Sequence, residues 1–272
     1  MEEGDGTPTA AAFFDLDRTL VAGSSGFYWA RAAMDAGVIS RRRMARIVLQ
    51  NLEFRLRGST DEGTDKMRAE ISAMVAGRRQ VDLARMMPEV LAGVLPRLYP
   101  QMLKIAYGHQ DAGRRVYIAT ASSQALADVL SEILGFDGGI GQVSEVVDGR
   151  FTGRDADVFT YRDGKAERIR KLAVQEGIDL SASWAYSDSE SDLPMLRLVG
   201  HPVAVNPDRE LERVAEDEGW EVLRFEQLGR KMMAFGALLL MGLVWTAGRT
   251  VVSRRAGIPP ASPRRRLPWR AR

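Results

Sequence analysis

Two carboxylates stand two residues apart, directly after an apolar run, in the segment Asp15-Leu16-Asp17-Arg18-Thr19. Residues 10–14 read Ala-Ala-Ala-Phe-Phe, which predicts a buried strand that ends at Asp15. Ionised carboxylates are costly to bury unless a cation or hydrogen-bond donors compensate, and a divalent metal would do so. In this interpretation Asp15 attacks a phosphoryl group, and Asp17 handles the protons of the leaving group and of water. The alternative is a strand-end turn with two solvated acids.

A second pair of carboxylates follows a second predicted strand, residues 184–186. Asp188 is expected at the carboxyl edge of a sheet, where open α/β folds place their ligands, and Asp192 near the start of a helix. Magnesium prefers oxygen ligands and usually takes one or two protein carboxylates plus substrate phosphate. The side chains of Asp15 and Asp188 and the backbone carbonyl of Asp17 would provide such ligands. The alternative role for Asp192 is an ordinary helix N-cap.

A third segment can bind an anion. Residues 116–120 are apolar and largely β-branched, which predicts a buried strand that ends in the hydroxyl of Thr120. Thr120 can donate to a phosphate oxygen, and the N–H groups at the start of the predicted helix 123–134 would face the same anion. Alternatively, Ser122 or Ser123 merely caps that helix.

Lys165 lies near the start of a predicted helix that opens at Asp163 and closes at Gly177. Its ammonium group could balance the charges of Asp15 and of a phosphate. A lone lysine at a helix start is otherwise a solvated side chain, so this role depends on the other three segments.

Together the four segments resemble the motifs of the haloacid dehalogenase-like hydrolase superfamily. The matching features are D-x-D-x-T, a hydrophobic strand ending in Thr, a lysine in G-K-A-E, and D-x-x-x-D, in this order. The resemblance covers about residues 8–229. The long insertion between the first two motifs resembles the helical-cap subfamily that includes the phosphoserine phosphatases. The second acid, Asp17, favours phosphatases over dehalogenases.

The resemblance implies a role for each motif residue. It makes Asp15 the nucleophile, Asp17 the general acid and base, and Lys165 the charge-balancing lysine, which also contacts substrate. It makes Thr120 and Ala121 the phosphate-binding residues. The metal ligands would be Asp15, Asp17 and Asp188 around Mg²⁺, with Asp192 as a supporting carboxylate.

Three positions depart from the phosphoserine phosphatase pattern. Those enzymes carry an acidic residue nine positions after the nucleophile, which binds the substrate amino group, and this chain has Ser24 there. They carry Gly-Gly after the hydroxyl of the second motif, and this chain has Ala121-Ser122. Arg18 stands where Gly or Ser is common. The phosphatase chemistry is unaffected, but the sequence does not name the substrate.

The expected fold is α/β, a doubly wound, Rossmann-like parallel sheet formed by residues 8–23 and 96–229. Residues 24–95 are expected to form an inserted helical cap, with Phe27, Ala30 and Met34 on one apolar face. Such a cap would act as a lid that excludes water. Residues 146–152 predict a β-hairpin through Asp-Gly, and residues 202–205 the last core strand.

Residues 230–272 form a hydrophobic and basic tail. They hold ten Lys or Arg and no acid, so the net charge of +2 divides into −8 for residues 1–229 and +10 for residues 230–272. Residues 232–248 carry no charge, and 17 residues is the lower limit for crossing a bilayer. We therefore expect attachment to a membrane with anionic lipid. The alternative is a C-terminal helix packed on the core or on a second subunit.

Composition limits the remaining possibilities. A chain of 272 residues that is 45% hydrophobic can bury a core, and the lack of cysteine excludes disulfides and thiolate zinc sites. No signal peptide is apparent, so we expect a cytoplasmic catalytic domain. The basic tail predicts no specific nucleic-acid binding.

The sequence therefore predicts a magnesium-dependent phosphomonoesterase that acts on a small phosphorylated metabolite. The alternatives are a phosphotransferase on the same scaffold and a membrane-associated regulatory protein with an inactive site.

Overall fold

The structure is a computed structural model that describes residues 9–40, 42, 69 and 72–225. Its strands are β1 (Ala11–Phe14), β2 (Arg115–Ser123), β3 (Gly138–Gln142), β4 (Ser144–Val147), β5 (Arg150–Asp155), β6 (Trp184–Ser187), β7 (His201–Val205) and β8 (Glu221–Leu223). Its α-helices are α1 (Ser25–Asp35), α2 (Gln80–Ala84), α3 (Met87–Val94), α4 (Pro100–Asp111), α5 (Gln124–Leu134), α6 (Asp163–Glu176), α7 (Leu193–Leu196) and α8 (Arg209–Glu218). Single 3-10 turns lie at Leu95–Arg97, Leu180–Ala182 and Glu190–Asp192.

Six strands form one parallel sheet in the order β3-β2-β1-β6-β7-β8. The chain builds outward from β1 through β2 to β3, and then outward on the other side from β6 to β8. The strand order therefore reverses between β1 and β6, which is where open α/β sheets bind their ligands. This topology confirms the predicted doubly wound parallel sheet.

Both faces of the sheet are covered, so β1 is buried along its whole length. Successive side chains of a strand point to opposite faces. Phe13 accordingly stacks on Tyr117 at 5.6 Å between ring centroids and packs with Ile169 of α6 on one face. On the other face, Phe14 stacks on Tyr186 at 4.4 Å and meets the edge of His109 of α4.

Two strands of the sheet were not predicted. The strand at residues 202–205 is not the last, because β8 pairs with β7 beyond it. Strand β3 reads Gly-Gly-Ile-Gly-Gln, in which Ile140 is the single β-branched residue among glycines that disfavour a strand. Glycine is needed at two of these positions because α5 packs so closely that a Cβ atom would lie 2.6 Å from the carbonyl carbon of Ala127 at Gly139, and 2.7 Å from Cα of Gln124 at Gly141.

The predicted hairpin is confirmed outside the main sheet. Strands β4 and β5 pair antiparallel, and the two residues between them, Asp148 and Gly149, have φ values of 49° and 71°. Positive φ at both positions is typical of a type I′ turn, the connection that matches the twist of a two-residue hairpin.

The described part of the expected cap is helical, with α1, α2, α3 and helical residues at 72–75. The predicted apolar face of α1 is wrong. Phe27 is 48% exposed, whereas Tyr28 and Ala32 are buried. Tyr28 is buried because its ring packs on the backbone of α3 at Gly93. Residues 41, 43–68 and 70–71 lie outside the described residues, so the boundaries of the cap stay a prediction.

The close approach of α1 and α3 depends on the absence of a side chain at Gly93. A methyl group there would lie 2.3 Å from Cδ1 of Tyr28, too close for the ring to remain in place. We expect Gly93→Ala to reduce the free energy of unfolding by about 1–3 kcal/mol, as overpacking does, in urea denaturation. The matched control is Gly108→Ala in α4, where nothing lies within 4 Å. That change should stabilise by about 0.5–1 kcal/mol, and equal effects of the two variants would contradict the predicted packing.

The buried His109 of α4 packs against Phe14 of β1 and Tyr186 of β6. Arg114 Nε donates to His109 Nδ1 at 2.8 Å, so the proton of His109 is on Nε2, which lies 2.8 Å from the hydroxyl of Tyr186. Burial, with a smaller contribution from the Arg114 charge, lowers the pKa of His109 to about 4.

This lowered pKa predicts acid sensitivity. The unfolded chain binds the His109 proton below about pH 6.5 and the folded chain only below about pH 4, so stability falls as the pH drops through that window. The loss assigned to His109 is at most about 3 kcal/mol. In urea unfolding, His109→Gln should therefore be less acid-sensitive than the wild type between pH 7 and pH 4.5. Parallel pH profiles would contradict this assignment.

The tail predicted to attach to a membrane belongs to a separate unit, residues 225–272. Residues 226–272, and with them the uncharged run 232–248, lie outside the described residues. Within the described ranges, no helix has the length and apolar character needed to cross a bilayer. Membrane attachment therefore stays a prediction.

Candidate active site

Lys165 connects two of the predicted carboxylates. It lies in the first turn of α6 and its side chain is 3% exposed. Its Nζ donates to Asp15 Oδ1 at 2.8 Å and to Asp192 Oδ2 at 2.9 Å. Burial lowers the pKa of Lys165, but the charges of Asp15 and Asp192 and their hydrogen bonds raise it above its ordinary value. Lys165 is therefore a protonated, buried cation and not a solvated lysine.

Asp15 is the first residue after β1 and lies beside β6, because its backbone N–H donates to the carbonyl of Tyr186 at 2.9 Å. Its side chain is buried. The pKa of Asp15 is raised to about 7, mainly by burial. The charge of Lys165 lowers this pKa, whereas the charges of Asp192 and Asp17 raise it. A carboxylate in this position gains from any further cation that binds beside it.

Asp192 occupies the N-cap position of α7, but its side chain does not accept a hydrogen bond from that helix. It accepts instead from Lys165 and from Ser187 Oγ, the latter at 2.6 Å. The side chain of Asp192 therefore does not cap α7. Asp192 holds the lysine against Asp15.

Asp17 faces the start of the helical cap. Its Oδ1 accepts from the backbone N–H of Ser25, the first residue of α1, at 2.7 Å, and its Oδ2 accepts from Ser24 Oγ at 3.2 Å. Burial raises the pKa of Asp17, although the hydrogen bonds from Ser25 and Ser24 lower it. A carboxyl with a raised pKa can carry the proton that a general acid donates.

Asp188 follows β6 and is buried, as Asp15 and Asp192 are. Its Oδ2 lies 3.0 Å from a guanidinium nitrogen of Arg18. Burial raises the pKa of Asp188 well above its ordinary value, the Arg18 charge lowers it, and the charges of Asp15, Asp192 and Asp208 raise it.

Thr120 and Ala121 lie near the end of β2, the neighbour of β1 on the side away from β6. Thr120 is buried and its Oγ1 accepts from the N–H of Ser122 at 3.0 Å, which leaves its own O–H to donate. Ala121 is exposed. Of the two serines that were candidates to cap the next helix, Ser123 is the N-cap of α5 and accepts from Leu126 N–H.

The structure therefore places the predicted residues at one edge of the sheet, at the ends of β1, β2 and β6 and at the start of α6. Sequence reasoning missed three contributions: Arg18 beside Asp188, Ser24 beside Asp17, and Ser187 beside Asp192. Ser24 had a signal, because a serine directly before a helical pattern is a preferred N-cap. Arg18 and Asp188 are distant in the chain, and Ser187, although only five residues before Asp192, has no local pattern that marks the contact.

The donors suited to a metal are hard oxygens. Among the described residues, no group of three His, Cys, Asp or Glu side chains could hold a metal ion. The predicted donor set is different: two carboxylates, Asp15 and Asp188, and the backbone carbonyl of Asp17. Magnesium commonly binds few protein oxygens and keeps several waters, so this set fits magnesium in chemistry and number.

Residues 12–197 match the family model of the haloacid dehalogenase-like hydrolases. The chain belongs to this family. The predicted family is confirmed, and so is the predicted class of enzyme, a phosphatase of the haloacid dehalogenase-like type. The roles of individual residues stay predictions.

Proteins of three bacteria are similar to this hydrolase over most of its length. The inhibition of morphological differentiation protein of Streptomyces azureus is 35% identical over 94% of this chain and 98% of its own. Phosphoserine phosphatase SerB1 of Mycobacterium tuberculosis is 36% identical over 91% of this chain and 81% of its own. The histidinol-phosphatase of Neisseria meningitidis is 31% identical over 79% of this chain and 98% of its own.

Solved structures share the fold of this hydrolase. A protein of unknown function from Bordetella pertussis has a TM-score of 0.69 at 30% identity and covers 80% of this chain and 99% of its own. A substrate-bound phosphoserine phosphatase has a TM-score of 0.59 at 17% identity, over 84% of this chain and 99% of its own, and shows the fold alone.

The pairing of Lys165 with two buried carboxylates predicts a large effect of its removal. Lys165→Met leaves Asp15 and Asp192 buried without their shared cation, and we expect a loss of about 3–5 kcal/mol in urea unfolding at pH 7 with chelator present. Lys171→Met on the same helix is the matched control, because Lys171 is 51% exposed and pairs with Glu167 at the surface. Its loss should stay below about 1 kcal/mol. Similar losses for both lysines would show that Lys165 does not hold the carboxylates together.

Proposed function

We propose that this hydrolase is a magnesium-dependent phosphomonoesterase that works through an aspartyl-phosphate intermediate on Asp15. One observation carries the proposal: the two acids of the first motif have different partners. Asp15 is held by a protonated lysine, and Asp17 by the first N–H of α1 and a serine hydroxyl. Two carboxyl groups in different environments can take different roles, one as nucleophile and one as proton carrier.

Magnesium is the proposed cofactor. Asp15 and Asp188, whose buried carboxylates are short of positive charge, would hold it together with the backbone carbonyl of Asp17. When bound, the ion would supply charge neutralisation to the phosphoryl group and to the carboxylates around it.

The first half-reaction breaks the phosphate ester. A carboxylate oxygen of Asp15 attacks phosphorus, the bond from phosphorus to the ester oxygen breaks, and the carboxyl of Asp17 gives its proton to the departing oxygen. Thr120 can donate its hydroxyl proton to a non-bridging phosphate oxygen, and Lys165 keeps the nucleophile oriented through its hydrogen bond to Asp15 Oδ1. The alcohol product leaves, and Asp15 carries the phosphoryl group.

The second half-reaction regenerates the enzyme. Asp17, now a carboxylate, takes a proton from a water molecule as the water attacks the phosphorus of the aspartyl phosphate. The bond from phosphorus to the Asp15 oxygen breaks, inorganic phosphate forms, and both acids return to their starting states. Because α1 begins at the hydrogen bond to Asp17, the proposed cap would orient the acid as well as exclude water.

The proposed substrate is a small phosphorylated metabolite. Two relatives are named for phosphoserine and for histidinol phosphate, which are both phosphate esters of amino alcohols. Ser24, the residue at the position of the acidic amino-group ligand, is neutral and already donates to Asp17. We therefore do not narrow the proposal to phosphoserine. The cytoplasmic location expected from the sequence also stays a prediction.

The test is phosphate release by the purified full chain from phosphoserine, histidinol phosphate, sugar phosphates and lysophosphatidic acid, with magnesium or with chelator. We expect release with magnesium, without any acceptor other than water. Asp15→Asn should abolish turnover while the protein stays folded, because the nucleophile is lost but its shape remains. Asp17→Asn should slow turnover by about 10²- to 10⁴-fold.

Three outcomes would contradict the proposal. More than a few per cent of wild-type activity in Asp15→Asn would exclude the covalent intermediate. Full activity in chelator would exclude the metal. Phosphate passing to an added alcohol, with none released in water, would favour the phosphotransferase.

A further inference from the structure

Arg18 occupies a fixed backbone position in the loop after β1. Its φ is 62°, an uncommon value for a residue other than glycine. The loop is closed by hydrogen bonds from Arg18 N–H to the Gly23 carbonyl at 3.0 Å and from Val21 N–H to the Leu16 carbonyl at 2.9 Å. The Cα atom of Arg18 is therefore held beside the carboxylates, while the long side chain can still change direction.

The four aspartates of the site have different partners. Lys165 donates to Asp15 and Asp192, and the start of α1 donates to Asp17. Asp188 receives neither. In the part of the chain that the structure describes, its ion pair is with Arg18, at 3.0 Å. The side chain of Asp188 is 5% exposed and that of Arg18 is 38% exposed, so the pair lies at the opening of the site.

We propose that Arg18 is a positioning residue that holds Asp188 when no metal is bound and competes with the divalent cation for that carboxylate. The inference rests on the proposed function, which makes Asp188 a magnesium ligand. A magnesium–oxygen bond is about 2.0–2.1 Å long, so an ion on Oδ2 of Asp188 would lie directly beside the guanidinium group. Two cations repel each other strongly at such a distance.

Arg18 can leave Asp188 more easily than Lys165 can leave its partners. Its side chain is partly in solvent, where a guanidinium group is hydrated, whereas Lys165 is enclosed. Metal binding would therefore displace Arg18 and leave the lysine in place. Without a metal, Arg18 would reduce the repulsion between Asp188 and the other carboxylates; its presence would also make the site bind magnesium more weakly.

The test is the magnesium affinity of the full-length protein without substrate, measured by calorimetry. Arg18→Asn removes the charge, and asparagine tolerates a positive φ. We expect its dissociation constant for magnesium to fall about three- to tenfold below that of the wild type. Arg18→Lys, which keeps the charge, should stay closer to the wild type. Arg197→Gln is the matched control, because it removes the same charge from a surface pair with Glu218 and should leave the affinity within about twofold.

A second measurement removes the effect of backbone strain. The rise in melting temperature from chelator to a fixed, saturating magnesium concentration should be larger for Arg18→Asn than for the wild type. Strain at residue 18 is present in both conditions and cancels in this difference. An Arg18→Asn protein that binds magnesium no more tightly than the wild type would overturn the inference.

The result also separates this inference from the proposed function. If the wild type binds magnesium, Asp188→Asn abolishes that binding, and Arg18→Asn equals the wild type, only the role of Arg18 is wrong. If neither the wild type nor the Arg18 variants bind magnesium, both the metal and the competition are wrong.

Discussion

The buried ammonium group of Lys165 is the interaction on which the site depends. It joins the end of β1, the first turn of α6 and the segment before α7 through Asp15 and Asp192. A charge buried without its partner is strongly destabilising, so none of the three groups is tolerated at this depth without the others. The lysine therefore brings together segments that are 150 and 27 positions apart in the chain. The parallel sheet makes this possible, because the ends of β1 and β6 are neighbours.

The loop after β1 connects the proposed catalytic carboxylates to the expected cap. Asp17 is two residues from Asp15, yet its carboxylate accepts from the first N–H of α1, which lies in the segment expected to form the cap. A carboxylate is favourable at a helix N-terminus because the N–H groups there have no partner within the helix. A shift of α1 would change the hydrogen bonds of Asp17. The position of α1 therefore affects the orientation and the pKa of the Asp17 carboxyl group, the proposed acid.

The sequence revealed the parts of the site that are local in the chain. Strands β1, β2 and β6 are apolar runs that end in carboxylates or a hydroxyl, and Gly177 closes α6 where it was expected. Features that depend on the packing of distant segments could not be predicted from the sequence pattern. Strand β3 is glycine-rich because α5 lies against it, and Tyr28 rather than Phe27 is buried because α3 approaches that side of α1. The pair of Arg18 and Asp188 joins two loops, and no local pattern marks such a contact.

The four aspartates of the site show how a fold can compensate an acidic cluster with groups of its own. A structural zinc site commonly folds only with its ion, because the ligands have no other use in the chain. Here Lys165, Arg18 and the start of α1 each satisfy part of the acidic cluster with groups from the protein. These contacts offset part of the cost of placing four carboxylates together. Burial still keeps the pKa values of Asp15 and Asp188 raised, so a net demand for positive charge remains where the phosphate ester is proposed to bind.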